Sequence, residues 1–562
     1  MGGMPAARAP PEASAHQRHR PETTVLFALV KEHLAAFLAL AAERYVAPLP
    51  KYVVRAFTEY LRCGLLEHGF LRVRCDACRK DRLVAFSCKQ RGLCPSCAAR
   101  VMCNTAAHLT DRVLPNVPIR QWVLALPFSL HLAAARDPKL LAACDRALVD
   151  AVFRWMRRNL ALPSGQGGAV TFVQRFGSTL NLHVHYHVLV LDGLFVRRRD
   201  GPPVFVETPA PTAIDLDAVL ADARSSIGRW LTKHAPELDR DDAQPGALDG
   251  CATLAMQRGL FADLGANEAN PKDRADEAPA TGRGYKSAVL DGYNLHAAVR
   301  IGADDDVARE KLVRYCARPA FALERLSVLR DGRIVYASKA PRKNATHRIL
   351  TPVELLARLA ALIPPPRHPF LRYHGVLAPA SKWRKEIVPR PVETAGAGAA
   401  AECAHAHGQH GVAPAARAVP AAATPLAVAP KSPSKPTGEP ALGAFSPLWQ
   451  RPDNDRAARD PRAITESHRR RLGGGRLLAT TPRLDWAKLL QRTYQVDAFQ
   501  CPRCHGPARV VAAITEPEVI RKILAHVREP PARAPPSGAC EPGEDGIDAG
   551  EVWLDPEVDV SA

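Results

Sequence analysis

The sequence predicts an α+β fold, and three observations carry the prediction. "IRQWVLALPF" at 119–128, "AVTFVQRFG" at 169–177 and "LNLHVHYHVLVLDG" at 180–193 are short apolar runs rich in β-branched and aromatic residues, which read as strands. Between the first two, "PKLLAACDRALVDAVFRWMRRNLA" at 138–161 spaces its apolar residues as one face of a helix. Strand, helix, strand, strand in succession is an α+β pattern.

The remaining elements follow in chain order. Residues 1–21 are rich in Ala, Pro and His and read as a loose, disordered tail. "TVLFALVKEHLAAFLALAAERY" has helical spacing, and helices extend to about Leu66; with the cysteine-rich stretch after them they make a first domain at 22–112. A second domain spans 113–392 and contains a charged, proline-bearing insertion at about 197–287 with a helix near 214–233. Its core resumes with a strand, "GYNLHAAVRIG", and a helix, "DDDVAREKLVRYCARP", that has an acidic start and a proline stop. A hairpin around the Asp-Gly turn of "RLSVLRDGRIVYASK" comes next, then a helix ending at the triple proline 364–366. At 393–445 the composition collapses to Ala, Pro, Gly and Thr, a disordered linker by composition. Beyond it, 446–530 reads as a small helix, knuckle, strand, helix unit around "CPRCHG", followed by an acidic tail at 531–562.

Charge narrows the partners. The chain of 562 residues carries 76 Lys+Arg against 57 Asp+Glu, a net +19, which favours a polyanion, DNA or RNA, over an acidic-surface-avoiding role. No signal peptide is expected in the first twenty residues and no uninterrupted apolar run reaches spanning length, so the expected location is cytoplasmic, without a membrane partner. In such a compartment clustered cysteines read as metal ligands before disulfides. Cys75/Cys78 and Cys94/Cys97 form two Cys-x-x-Cys knuckles fifteen residues apart, the spacing of a structural zinc ribbon. Cys88 and Cys103 could substitute as ligands or pack as small apolar groups, and the lone knuckle Cys501/Cys504 is open between an incomplete zinc site and a plain turn. Arg79, Lys80, Lys89 and Arg91 around the first knuckles are candidate DNA-backbone contacts.

His183, His185 and His187 alternate along one strand, so all three share a face. Two of them can hold a divalent ion that polarises a phosphate. Phosphate cleavage also needs a nucleophile, and Tyr315 in "KLVRYCARP", flanked by Arg314 and Arg318, is the candidate; those arginines also qualify as DNA contacts.

Five blocks in order, "FSCKQRGLCPSCAARVM", "RQWVLALPF", "VQRFGSTLNLHVHYHVLVLDGLF", "RYCARPAFALERL" and "RYHGVLAPASKWR", resemble the transposases of rolling-circle insertion sequences that carry an N-terminal zinc-binding domain and an HUH nuclease domain. The resemblance implies a ferredoxin-like nuclease sheet. It implies cleavage and rejoining of single-stranded DNA, at the ends of a mobile element and at its target, through a 5′-phosphotyrosine. It also implies structural Zn2+ and a catalytic Mg2+ or Mn2+. The family's His-hydrophobe-His motif falls on His185, Tyr186 and His187, which makes His183 the extra histidine. Gln174 on the preceding strand is the candidate third ligand, with His183 as second choice. Many members carry two tyrosines four residues apart; here Tyr315 matches the first and Pro319 occupies the second position. A zinc-dependent DNA-binding protein or inactive remnant, and a phosphoesterase using water in place of tyrosine, are the competing readings. Homo-oligomerisation is left open.

Overall fold

The structure, a computed structural model, describes residues 20–90, 92–197, 201–238, 246–256, 286–342, 345–366, 369–390 and 460–526. The tail before residue 20, the stretch 257–285 of the insertion, the linker at 393–445, the acidic tail and Arg91 lie outside the described residues.

Two helices, α1 (Val25–Arg44) and α2 (Lys51–Tyr60), lead the chain. Thr24 starts α1 by accepting the Phe27 N–H at 3.2 Å. By length and apolarity α1 could cross a membrane. Its Leu26, Val30, Leu34 and Phe37 are nevertheless buried in the protein's largest apolar cluster, as in a core helix. A hairpin of β1 (Phe70–Cys75) and β2 (Asp81–Ala85) and the helix α3 (Pro95–Arg112) complete the N-terminal part.

The central part runs β3 (Ile119–Ala125), α4 (Phe128–Arg136), α5 (Pro138–Asn159), β4 (Gly168–Phe176), β5 (Leu182–Leu191) and the hairpin β6 (Gly193–Val196) and β7 (Val204–Glu207). The insertion supplies α6 (Ala213–Leu238), α7 (Ala247–Met256) and β8 (Ser287–Leu290), followed by β9 (Tyr293–His296), β10 (Arg300–Ile301) and α8 (Asp306–Cys316). A three-stranded sheet, β11 (Leu326–Val328), β12 (Ile334–Arg342) and β13 (Ala345–Leu350), precedes α9 (Pro352–Leu362), β14 (Leu371–Gly375) and α10 (Arg384–Ile387). After the linker come α11 (Glu466–Arg471), α12 (Trp486–Tyr494), β15 (Ala508–Ile514) and α13 (Pro517–Leu524).

The mixed helix and sheet character read from the sequence is present. The largest sheet has the order β14-β4-β5-β3-β9-β8, with β10 also on β3, and every pairing in it is antiparallel. Because side chains alternate along a strand, β5 faces two cores. Val184, Tyr186, Val188 and Val190 join the cluster built with α1, α5 and α9. Leu189 and Leu191 join a second cluster with Val170, Phe172 and the α8 residues Leu312, Val313 and Cys316. The helix expected in the insertion is present as α6, which packs on α5 and on the strands β8 and β9 and so closes one end of the sheet.

The C-terminal segment does not stand as a separate unit. β15 pairs antiparallel with β1, from Phe70↔Ile514 to Cys75↔Ala508, giving a sheet of order β15-β1-β2. The sequence offered no sign of this, because strand partners so distant in the chain share no local pattern.

Candidate functional site

The three histidines lie on the β5 face that α8 covers. The register sets Gln174 of β4 directly opposite His185, and Phe172 opposite His187. His185, His187 and Gln174 are all buried. Tyr186 between the two histidines points to the other core and donates its hydroxyl to the Leu141 carbonyl at 3.0 Å, which ties β5 to α5. Ring centroids of His185 and His187 are 5.0 Å apart. The ring of Tyr315, from the last turn of α8, stands perpendicular to His187 at 5.5 Å. Arg318 lies 5.3 Å from the Tyr315 ring centroid. Thus His185, His187, Gln174, Tyr315 and Arg318, spread over some 140 positions, meet on one face of the sheet.

The electrostatics keep the imidazoles neutral. Burial, then the neighbouring His183 and His187, hold His185 well below the usual histidine range. Burial, reinforced by Arg318, brings His187 down to about 3. Nδ1 of His185 lies 3.1 Å from the His183 carbonyl, an acceptor that keeps the proton on Nδ1 and leaves the lone pair on Nε2. The Gln121 side-chain amide of β3 is 2.7 Å from Nδ1 of His187. The atom that faces the ring is the amide Nε2, a donor, which also lies 3.5 Å from Cys316 Sγ, so an Nε2 lone pair on His187 requires the amide to turn its oxygen to the ring. Nε2 of His185, Nε2 of His187 and Oε1 of Gln174 are buried and have no hydrogen-bond partner, while Nε2 of Gln174 is fixed by donating to the Cys316 carbonyl at 2.8 Å. Two imidazole nitrogens and an amide oxygen, all buried without a hydrogen-bond partner, are donor types that a divalent cation can take. His183 is only part-buried and contacts His185 Nδ1 at 3.2 Å and the His131 ring at 4.7 Å.

Below the histidines, Asp192 anchors the strand. It is fully buried and accepts from Arg120 Nε and Nη2, each at 2.9 Å, and from Arg300 Nε at 2.9 Å. Gly193 follows because a Cβ there would meet the Val206 carbonyl and the Phe205 ring. The Asp-Gly that ends the histidine strand therefore serves the fold and not the chemistry.

The cysteines pair differently from the expectation. Cys75 and Cys78 do not meet Cys94 and Cys97. One cluster holds Cys63, Cys88, Cys94 and Cys97, with Sγ separations of 3.7 Å for Cys63–Cys97 and 3.5 Å for both Cys63–Cys94 and Cys88–Cys97. The second holds Cys75, Cys78, Cys501 and Cys504. A tetrahedral ion with Zn–S of about 2.3 Å requires Sγ separations of about 3.8 Å, so the first cluster fits zinc. Cys94 and Cys97 sit at the start of α3, where the helix dipole favours thiolates. Cys88 is thus grouped with possible ligands, Cys103 instead packs in an apolar cluster, and Cys63, which carries no motif of its own, was invisible in the sequence.

The candidate DNA contacts divide. Arg79, Lys80 and Lys89 are exposed around the cysteines. Arg314 instead donates to Glu310 at 2.8 Å, one turn back on α8. Glu310 and Asp111 of α3, both buried, share Arg492 of α12: its Nη2 reaches Glu310 Oε2 at 3.0 Å and Asp111 Oδ1 at 3.1 Å. His468 and Arg471 of α11 extend the same network at 2.8 Å each. Sequence reasoning missed this assembly, since its members look like ordinary surface charges.

One basic chain thus brings together buried imidazoles facing a tyrosine on an antiparallel sheet and two clusters of thiols able to hold a metal ion. The comparisons add the family. Residues 29–126 match the family model described as "Transposase zinc-binding domain", and residues 168–385 match the one described as "Putative transposase". Together the two matches support an IS91-type rolling-circle transposase, with its zinc-binding domain ahead of the transposase domain. It is a DNA transposase, and DNA is its partner. No curated protein and no solved structure matches it.

Proposed function

We propose that this transposase cuts and rejoins single-stranded DNA as an HUH nuclease with a ferredoxin-like core, through a 5′-phosphotyrosine at Tyr315. The observation that carries the reading is that His185 Nε2, His187 Nε2 and Gln174 Oε1 are buried without a hydrogen-bond partner on the sheet face where the Tyr315 ring lies 5.5 Å from His187. These three atoms would hold Mg2+ or Mn2+, which when bound supplies positive charge to the scissile phosphate. Tyr315 Oη attacks phosphorus, the bond to O3′ breaks, and the departing oxygen takes up a proton to leave a free 3′-hydroxyl. Arg318, beside the Tyr315 ring, favours the phenolate and the added negative charge of the transition state. The His183 carbonyl holds the His185 imidazole with its proton on Nδ1, and Gln121 packs its side-chain amide against Nδ1 of His187. Rejoining is the reverse attack by a 3′-hydroxyl, so no nucleoside triphosphate is needed. With Pro319 in the second tyrosine position, successive transfers reuse Tyr315, draw on another subunit, or employ the freed 3′-hydroxyl.

Zinc in the Cys63, Cys88, Cys94, Cys97 cluster organises the start of α3, and the exposed Arg79, Lys80 and Lys89 meet the DNA backbone, all in the cytoplasm. The test uses labelled single-stranded oligonucleotides tiled across the DNA flanking the gene, with Mn2+. Wild type is expected to give a denaturation-resistant protein–DNA band, and Tyr315→Phe and His185→Ala/His187→Ala none. A band that persists in Tyr315→Phe refutes the nucleophile. Cleavage without any adduct marks a water-using phosphoesterase, and binding without cleavage an inactive remnant.

A further inference from the structure

We propose that Cys75, Cys78, Cys501 and Cys504 bind a second zinc ion, and that this ion staples the end of the chain to its beginning. The matched zinc-binding domain stops at residue 126, and two of these four ligands lie far beyond it. All four Sγ atoms fall within 4.8 Å of one another. Cys75–Cys504 are 3.5 Å apart and Cys78–Cys501 3.7 Å, close to the spacing a tetrahedral tetrathiolate zinc imposes and far too long for disulfides.

The backbone argues more strongly than the sulfurs. Each pair sits in a knuckle of the same construction. In one, Cys75 N–H donates to the Lys80 carbonyl at 3.0 Å and Arg79 N–H to the Cys75 carbonyl at 3.1 Å; in the other, Cys501 N–H donates to Gly506 and His505 N–H to Cys501, both at 2.9 Å. The residue after the second cysteine is left-handed in both, Arg79 at φ 58° and His505 at φ 56°. Two copies of one turn thus aim four thiols at one point, from opposite ends of the chain. Their approach is tight: a Cβ on Gly506 would lie 2.7 Å from that of Ala77. Asp76 N–H donates to the Pro507 carbonyl at 2.9 Å, and Arg509 Nε to Asp76 at 3.0 Å, so the knuckles are also joined directly.

The staple has a structural target. It fixes the segment that carries His468, Arg471 and Arg492, which grip Asp111 of α3 and Glu310 of α8, the helix that bears Tyr315. Arg492 is on this view a positioning residue for the tyrosine helix.

The first readout is metal content of the full-length protein by native mass spectrometry, a count independent of any DNA chemistry. Wild type is expected to hold two zinc ions per chain and Cys501→Ser/Cys504→Ser one. A single zinc on wild type overturns the proposal whether or not the variant folds, as does a variant that keeps two. Cobalt substitution adds a second measure, with thiolate charge-transfer absorption expected to fall by about half in the variant. For the staple itself, a protease site is placed in residues 392–459 and the cleaved protein is run on gel filtration. The two fragments are expected to co-elute for wild type and to separate for Cys501→Ser/Cys504→Ser; equal co-elution of both refutes the stapling role.

Discussion

At the scale of single residues, the proposed metal face leans on buried side chains of the neighbouring strands. Gln121 orients His187 from a neighbouring strand. Gln121→Ala should therefore weaken divalent-metal affinity by roughly 10–100-fold, the usual effect of losing such a support, while activity at saturating metal stays near wild type; titrating nicking against Mn2+ checks this. Asp192 neutralises the buried Arg120. Asp192→Ala strands that guanidinium without its carboxylate and should cost on the order of 3–5 kcal/mol, read from urea unfolding. A period of two put His183, His185 and His187 on one face, and only the family resemblance singled out His185 and His187. Gln174 was reached only by guessing a hairpin, and Gln121 not at all, since a glutamine in an apolar strand carries no local mark of what it faces.

Elements set how firmly the tyrosine is held. α8 starts at Asp305, which accepts the Ala308 N–H at 2.9 Å, and its buried Glu310 ties it to α3 and α12. Burial alone would raise the Glu310 carboxyl, but Arg492 and Arg314 outweigh it and bring it to about 2, from an ordinary 4.5. Because the folded value is the lower one, the stabilisation is full above about pH 4.5 and is lost as pH falls toward 2. It amounts to on the order of 3 kcal/mol. Urea unfolding across that range should show the decline, and Glu310→Gln should be less stable at neutral pH and flatter in acid. The strands and helices themselves were readable from their apolar periods. The cysteine partners were not: two knuckles fifteen residues apart look like one site, yet connectivity among several cysteines is a property of the tertiary fold.

For the whole molecule, charge and chain order matter most. The +19 balance implies that binding to single-stranded DNA weakens with salt. Replacing Arg79, Lys80 and Lys89 together by alanine should make the log–log salt slope shallower by roughly two, at about 0.7 per lost phosphate contact. Fluorescence anisotropy at several salt concentrations measures it. The return of the C-terminal segment to β1 could not be read from the sequence, because nothing in β15 names its partner.

That return has a consequence in time. Cys75 and Cys504 are 429 residues apart. At synthesis speeds of about 5–20 residues per second, β1 waits roughly 20–90 s for the strand that covers its free edge. Until then the brace on the tyrosine helix is also missing. The N-terminal sheet is in this way completed last although its first strand is made early, and a chain cut short by a premature stop leaves the ribosome without the arginine that grips α8.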